Sequence, residues 1–279
     1  MQRFRKCFSV LPPARRAGHE YDMTVRQGLE MARRLGWLMA AELRSFAIDF
    51  SFAPCVDLDY GVSEIIGDRA FHKRPEAVAD LAQAYLVGMR EAGMAATAKH
   101  FPGHGAVVAD SHLALPVDRR SLEDLAPDIL PYRRLIANDL PAVMMAHVLY
   151  PEVDSVPASF SQRWVQQVLR GDLGFRGVVF ADDLSMQGAI GMGGIVDRAA
   201  AAMAAGCDIL PVCNDRPSVV ELLDGLREKP GPASQLRLLR MRGRDGLDRP
   251  ALQASTHYRD CLEWLARCGR PPELILGQS

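Results

Sequence analysis

The sequence has no Cys-x-x-Cys pair, no apolar run long enough to cross a bilayer, no leader-like apolar stretch near Met1, and no excess of charge of either sign. Each absence excludes something. The six cysteines, Cys7, Cys55, Cys207, Cys213, Cys261 and Cys268, have neither zinc-ribbon nor thioredoxin-like spacing. A chain of 279 residues also buries enough core to fold without disulfide staples. Free thiols in a reducing cytoplasm are the expectation. No window approaches the roughly 18 consecutive apolar residues of a membrane helix, so stable membrane insertion is not expected. With 33 basic against 34 acidic side chains, the basic excess that phosphate binding normally leaves is missing, and a nucleic-acid partner is not expected. The densest basic group, Arg237, Arg240, Arg242, Arg244 and Arg249, is diluted by Asp245 and Asp248 and has no interleaved aromatics. It reads as a solvated face.

What is present is a recurring order of elements. Five short apolar runs, 47–54, 95–98, 142–146, 177–181 and 208–212, alternate with helical patterns over 76–92, 122–138, 162–170, 195–205 and 217–226. The first of these helices places Val78, Leu81, Ala82, Tyr85 and Met89 near one face, with Pro75 suited to its first turn. A further helix over 25–44 precedes the first strand, with Leu29, Ala32, Leu35, Gly36 and Met39 as its packed stripe. After a loop-rich, arginine-rich stretch at 228–250 with one short helix, 258–267 reads as a final amphipathic helix. Continuous apolar strands alternating with helices imply a parallel sheet covered on both faces, an α/β fold. Five strands alone leave a doubly wound sheet and a (β/α)8 barrel both open.

Polar residues gather just past the strands: Asp57 and Asp59, Lys99 and His100, His147, Asp182 and Asp183, and Asn214. In either architecture the C-terminal strand ends carry the chemistry. The densest segment runs Lys99-His100-Phe101-Pro102-Gly103-His104-Gly105 and continues to Asp110-Ser111-His112. An imidazole titrating near 6.5 suits His112 to proton transfer, and Asp110, two residues earlier, is placed to orient it. His100, His104, Asp110 and His112 form an alternative metal-ligand set, although their spacing matches no named zinc signature. Asp182 at a strand mouth could serve as nucleophile, general base or metal ligand, while Asp183 could pin the turn through backbone N–H groups. Residue types alone leave the role of Asp182 open.

These segments resemble the bacterial β-N-acetylhexosaminidases of glycoside hydrolase family 3, particularly the single-domain enzymes of peptidoglycan recycling. The resemblance rests on Phe52 to Asp59, Ile66 to Phe71, Lys99 to Gly105, Asp110 to His112 and Phe180 to Met186. It continues through Ala205 to Asp208 and Val212 to Asn214. It implies a (β/α)8 TIM barrel and a retaining mechanism, with Asp182 as nucleophile and His112 as general acid/base oriented by Asp110. Arg3, Arg69, Lys99 and His100 would bind the N-acetylglucosamine unit, and no cofactor or metal is implied. The implied substrate is N-acetylglucosaminyl-β-1,4-anhydro-N-acetylmuramic acid, with or without its peptide, a small-molecule partner for a monomeric enzyme.

The opening departs from the pattern. Arg3 matches a sugar-binding arginine, but the aspartate expected before it is absent. Eight barrel strands against five read here imply that about the first three are missing, with a late start as the expectation. On this reading residues 1–279 form one catalytic domain, with the helical, arginine-rich tail beginning at about 228. The competing expectations are an inactive, truncated sugar-binding remnant and a metal-dependent hydrolase built on His100, His104 and His112.

Overall fold

A computed structural model describes residues 4–108, 115–227, 229–244 and 246–268. Four parallel strands, β1 (Phe50–Ser51), β2 (Ala95–Phe101), β3 (Ala142–Met145) and β4 (Val178–Phe180), lie in the order β1-β2-β3-β4. Phe180 also bridges Ile209 in parallel, adding the fifth strand position. The chain thus forms a βα succession of a TIM-barrel-like α/β fold. The two outermost runs are shorter than the sequence implies: 47–54 contracts to two residues and 208–212 to a single bridge. Both runs still follow their inner neighbour: the Ala53 and Pro54 carbonyls accept from Thr97 and Lys99, and the Ile209 and Pro211 carbonyls from Ala181 and Leu184. Pro54 and Pro211, however, have no N–H to continue a regular ladder.

Helices follow the apolar periodicity closely. They are α1 (Ala14–Met23), α2 (Val25–Arg44), α3 (Pro75–Glu91), α4 (Ala126–Ile136), α5 (Ile195–Ala205), α6 (Arg216–Gly225), α7 (Pro232–Leu239), α8 (Arg249–Ala254) and α9 (Thr256–Cys268). Helix α1 escaped the sequence reading: only Ala17 and Gly18 are buried along it, leaving no apolar stripe to detect. The stretch from Arg163 to Asp172 is a π-helix rather than an α-helix. Helices α2 and α3 cross with their backbones in contact. A Cβ on Gly36 would sit 2.3 Å from the Tyr85 carbonyl oxygen, and one on Gly88 would sit 2.0 Å from that of Arg33.

Both faces of the sheet are covered, which explains the unbroken apolar runs. Ala96, Ala98, Val143, Met145, Val179 and Ala181 pack into the main helical core. On the other face, Ala142, Met144, Val178 and Phe180 meet Met241 and, from α7, Leu238. An aromatic cluster closes the main core around the end of β2. Phe101 lies 5.0 Å from Tyr132 of α4 and 6.0 Å from Trp164 of the π-helix, and Tyr150 stands 5.2 Å from Trp164 (ring centroids).

The arginine group corrects one expectation. Arg240, Arg242 and Arg244 are exposed, but Arg237 is not a solvated side chain. It pairs with the buried Asp208 at 2.6 Å, opposite Arg170 at 3.0 Å, and so ties α7 to the sheet. Arg249 likewise lies over Phe8, Phe46 and Tyr258, 5.8–6.0 Å from each ring. One guanidinium meets a carboxylate and the other aromatic rings, roles that charge counting does not reveal.

Candidate active site

The C-terminal ends of the strands bring Asp57, Lys99, His100, His147 and Asp182 into one region. The decisive local feature lies in β2. Lys99 pairs with Met144 and Phe101 with Met145, so His100 is an extra residue facing no partner in β3. Such a bulge turns a side chain out of strand alternation. The Lys99–His100, Phe101–Pro102 and Ala53–Pro54 peptide bonds are cis. Lys99 is half-buried, its ammonium 5.8 Å from the Phe52 ring centroid. Burial, together with the like charge of Arg69, lowers its pKa, while Asp182 pulls the other way. Arg69, on a short turn of 3-10 helix, holds its guanidinium against the Ile65 carbonyl at 3.1 Å.

Asp182 leaves β4 half-buried. Its Oδ1 accepts the Asp183 N–H at 2.8 Å, and its own N–H points to the Ser159 hydroxyl at 3.4 Å. Burial opposes ionisation, but the neighbouring His100 and His147 rings, the N–H donated by Asp183 and the Lys99 ammonium outweigh it. The carboxyl is therefore held below its ordinary range and ionised. Asp183 does what the sequence allowed for it: its Oδ1 accepts from Ser185 N at 3.0 Å, Ser185 Oγ at 2.7 Å and Cys213 N at 3.0 Å, pinning the turn.

Several partners were not legible beforehand. His147 is fully buried, and Asp59 is drawn into a 2.5 Å pair with Arg15. Asp57 gathers His100 and the His104 backbone around one buried carboxylate. Asp110, His112 and Arg3 lie outside the described residues. Two of the four residues of the alternative metal set, Asp110 and His112, are thus not among those described. Among the described residues, the donors close enough to share an ion are Cys55, Asp57 and His100, within 4.8 Å of one another. Their protons are already directed at Asp57, from Cys55 Sγ at 3.1 Å and His100 Nδ1 at 2.8 Å. Burial, then the Asp57 charge, pushes the Cys55 thiol up to about 12, so sulfur keeps its proton. The trio reads as a hydrogen-bonded anchor.

Residues 1–239 match the family model described as "Glycosyl hydrolase family 3 N terminal domain". The chain belongs to glycoside hydrolase family 3. It is 56% identical to the beta-hexosaminidase of Thioalkalivibrio sulfidiphilus over 88% of this chain and 71% of that protein. It is 50% identical to the beta-hexosaminidase of Thiobacillus denitrificans over 97% of this chain and 76% of that one. Among solved structures, NagZ from Neisseria gonorrhoeae in complex with N-trifluoroacetyl-D-glucosamine superposes with a TM-score of 0.89 at 42% identity, covering 97% of this chain and 79% of that one. The same Neisseria protein in complex with zinc ion matches with a TM-score of 0.89 at 40% identity, over 96% and 78% of the two chains. This family membership makes the chain a glycoside hydrolase with the (β/α)8 fold, and it places the strand-end cluster where such barrels carry their chemistry.

Proposed function

We propose that the chain is a retaining exo-β-N-acetylglucosaminidase. Its substrate would be a muropeptide with N-acetylglucosamine β-1,4-linked to anhydro-N-acetylmuramic acid, cleaved in the cytoplasm by a monomeric, single-domain enzyme. The observation that carries the reading is Asp182: an ionised, half-buried carboxylate at a strand mouth, flanked by Lys99 and His100. Its relatives' designation as beta-hexosaminidases, and the N-acylglucosamine held by the Neisseria protein, support the sugar class.

In the first step an Asp182 oxygen forms a bond to the anomeric carbon as the glycosidic C–O bond breaks. His112, oriented by Asp110, gives its proton to the departing oxygen. In the second step His112 takes a proton from water, whose oxygen bonds the same carbon and releases Asp182 as carboxylate. Lys99, His100, Arg69 and Arg3 hold the sugar, and the two inversions together retain the β configuration. A histidine acid avoids setting a second bare carboxylate beside Asp182.

The test is a slow fluorinated N-acetylglucosaminide, followed by intact-mass measurement and by NMR of the first-formed anomer. The expected results are one glycosyl adduct, lost in Asp182→Ala, and initial release of the β-anomer. Initial release of the α-anomer, or full labelling of Asp182→Ala, overturns the assignment.

A further inference from the structure

The carboxylate of Asp57, 1% exposed, is surrounded by hydrogen-bond donors. The backbone N–H of His100 reaches both its oxygens, at 3.3 and 3.2 Å. The His104 N–H reaches Oδ1 at 2.7 Å, while His100 Nδ1 and Cys55 Sγ approach Oδ2 at 2.8 and 3.1 Å. One side chain following β1 therefore holds both ends of the 100–104 turn. Two neighbours seat the same turn. Tyr150 donates its hydroxyl to the Gly103 carbonyl, and a Cβ on Gly105 would collide with the Leu58 carbonyl oxygen at 1.9 Å.

The chemistry of this cluster sets a polarity. Two backbone N–H groups and a thiol offer Asp57 nothing that could accept a carboxyl proton, and a carboxyl is a stronger acid than imidazolium. The proton between Asp57 and His100 therefore rests on Nδ1. We infer that Asp57 is a positioning residue of the candidate site, holding His100 as the Nδ1–H tautomer so that Nε2 meets the sugar as a hydrogen-bond acceptor. Burial lowers the pKa of His100 despite the Asp57 charge, which keeps a second proton off the ring. Lys99 and His100, adjacent in sequence, thus have opposite polarity: the ammonium can only donate and Nε2 can only accept. A substrate hydroxyl that donates to His100 is read differently from one that receives from Lys99, and a group lacking a proton to give is disfavoured at His100.

The inference rests on the glycosidase reading for its substrate but not for its first readout. Nitrogen-15 imidazole spectra of the 279-residue chain, assigned with His100→Gln, should show His100 protonated at Nδ1 and bare at Nε2 near pH 7. In Asp57→Asn that preference should weaken. The KM for an aryl N-acetyl-β-glucosaminide should rise about 10–100-fold, with a smaller change in kcat. A wild-type His100 protonated at Nε2 overturns the inference even if Asp57→Asn does not fold. So does an Asp57→Asn protein with unchanged tautomer and KM and only a lower Tm, because that is the signature of a structural role. If the wild type fails to turn over the glycoside, the proposed activity falls, while the tautomer still decides the role of Asp57.

Discussion

His147 lies flat against Phe160, the ring centroids 5.2 Å apart and the planes 6° from parallel. Its Nε2 donates to the Asp183 carbonyl at 3.1 Å, so the strand-end histidine supports the turn that carries Asp182. Burial lowers the pKa of this imidazole despite the nearby Asp182. The unfolded ring titrates near 6.5. Below that pH the unfolded chain binds more protons than the folded one at this site, so stability falls as the pH drops from about 6.5 toward the depressed folded value. The buried His100 acts in the same direction. Asp57 and Asp182, with lowered pKa values, add their loss only further down, below about 4. We expect the Tm to decline between pH 6.5 and 5, and His147→Gln, which keeps a donor for the Asp183 carbonyl, to flatten that slope. Parallel slopes for wild type and variant in differential scanning fluorimetry would remove His147 from the account.

The Arg170–Asp208–Arg237 triad predicts a graded response in the arginine-rich segment. Arg237→Ala leaves the buried Asp208 with Arg170 and the Val179 N–H, and should cost about 1.5–3 kcal/mol. Arg240→Ala, on the exposed side of the same segment, should stay within about 0.5 kcal/mol. Urea denaturation of the two variants separates an anchor from a solvated face; equal midpoints would restore the simpler reading.

What the sequence made legible was what its periodicity encodes. The bounds of α5 were read to the residue, and α3 and α6 to within one, because apolar spacing or flanking glycine and proline mark them. Asp182 was placed at a strand end by the unbroken Val178-Val179-Phe180 run alone. The bulge at His100 was not legible, since β-bulges depend on the partner strand's register, which no local pattern states. Asp57 was seen as one polar strand-end residue among eight. Its four donors come from residues 55, 100 and 104, a convergence created by the sheet. Arg237 was misread for the same reason: its partner, Asp208, is 29 residues away.

The Cys55, Asp57 and His100 trio makes the metal question direct. If these groups serve as a proton-satisfied anchor, exhaustive chelation and dialysis should leave glycosidase activity unchanged, and added zinc should not raise it. Elemental analysis alongside the assay checks both halves. Stoichiometric zinc whose removal abolishes activity would instead establish the metal-dependent alternative.

The proposed acid/base is tested most sharply by leaving-group dependence. Departure of the natural muramyl oxygen needs a proton, whereas a nitrophenolate with a far lower pKa leaves with little help. His112→Ala should therefore lose about 10²–10⁴-fold on the natural disaccharide and much less on the nitrophenyl glycoside. With the nitrophenyl substrate, attack by water becomes the slow step, and the glycosyl-enzyme on Asp182 should accumulate to a level visible by intact mass. Asp110→Asn should follow the same pattern with smaller losses, because it disturbs the orientation of the ring and leaves the proton donor in place. An equal loss on both substrates for His112→Ala would assign the histidine to binding, and leaving-group protonation would then belong to another residue.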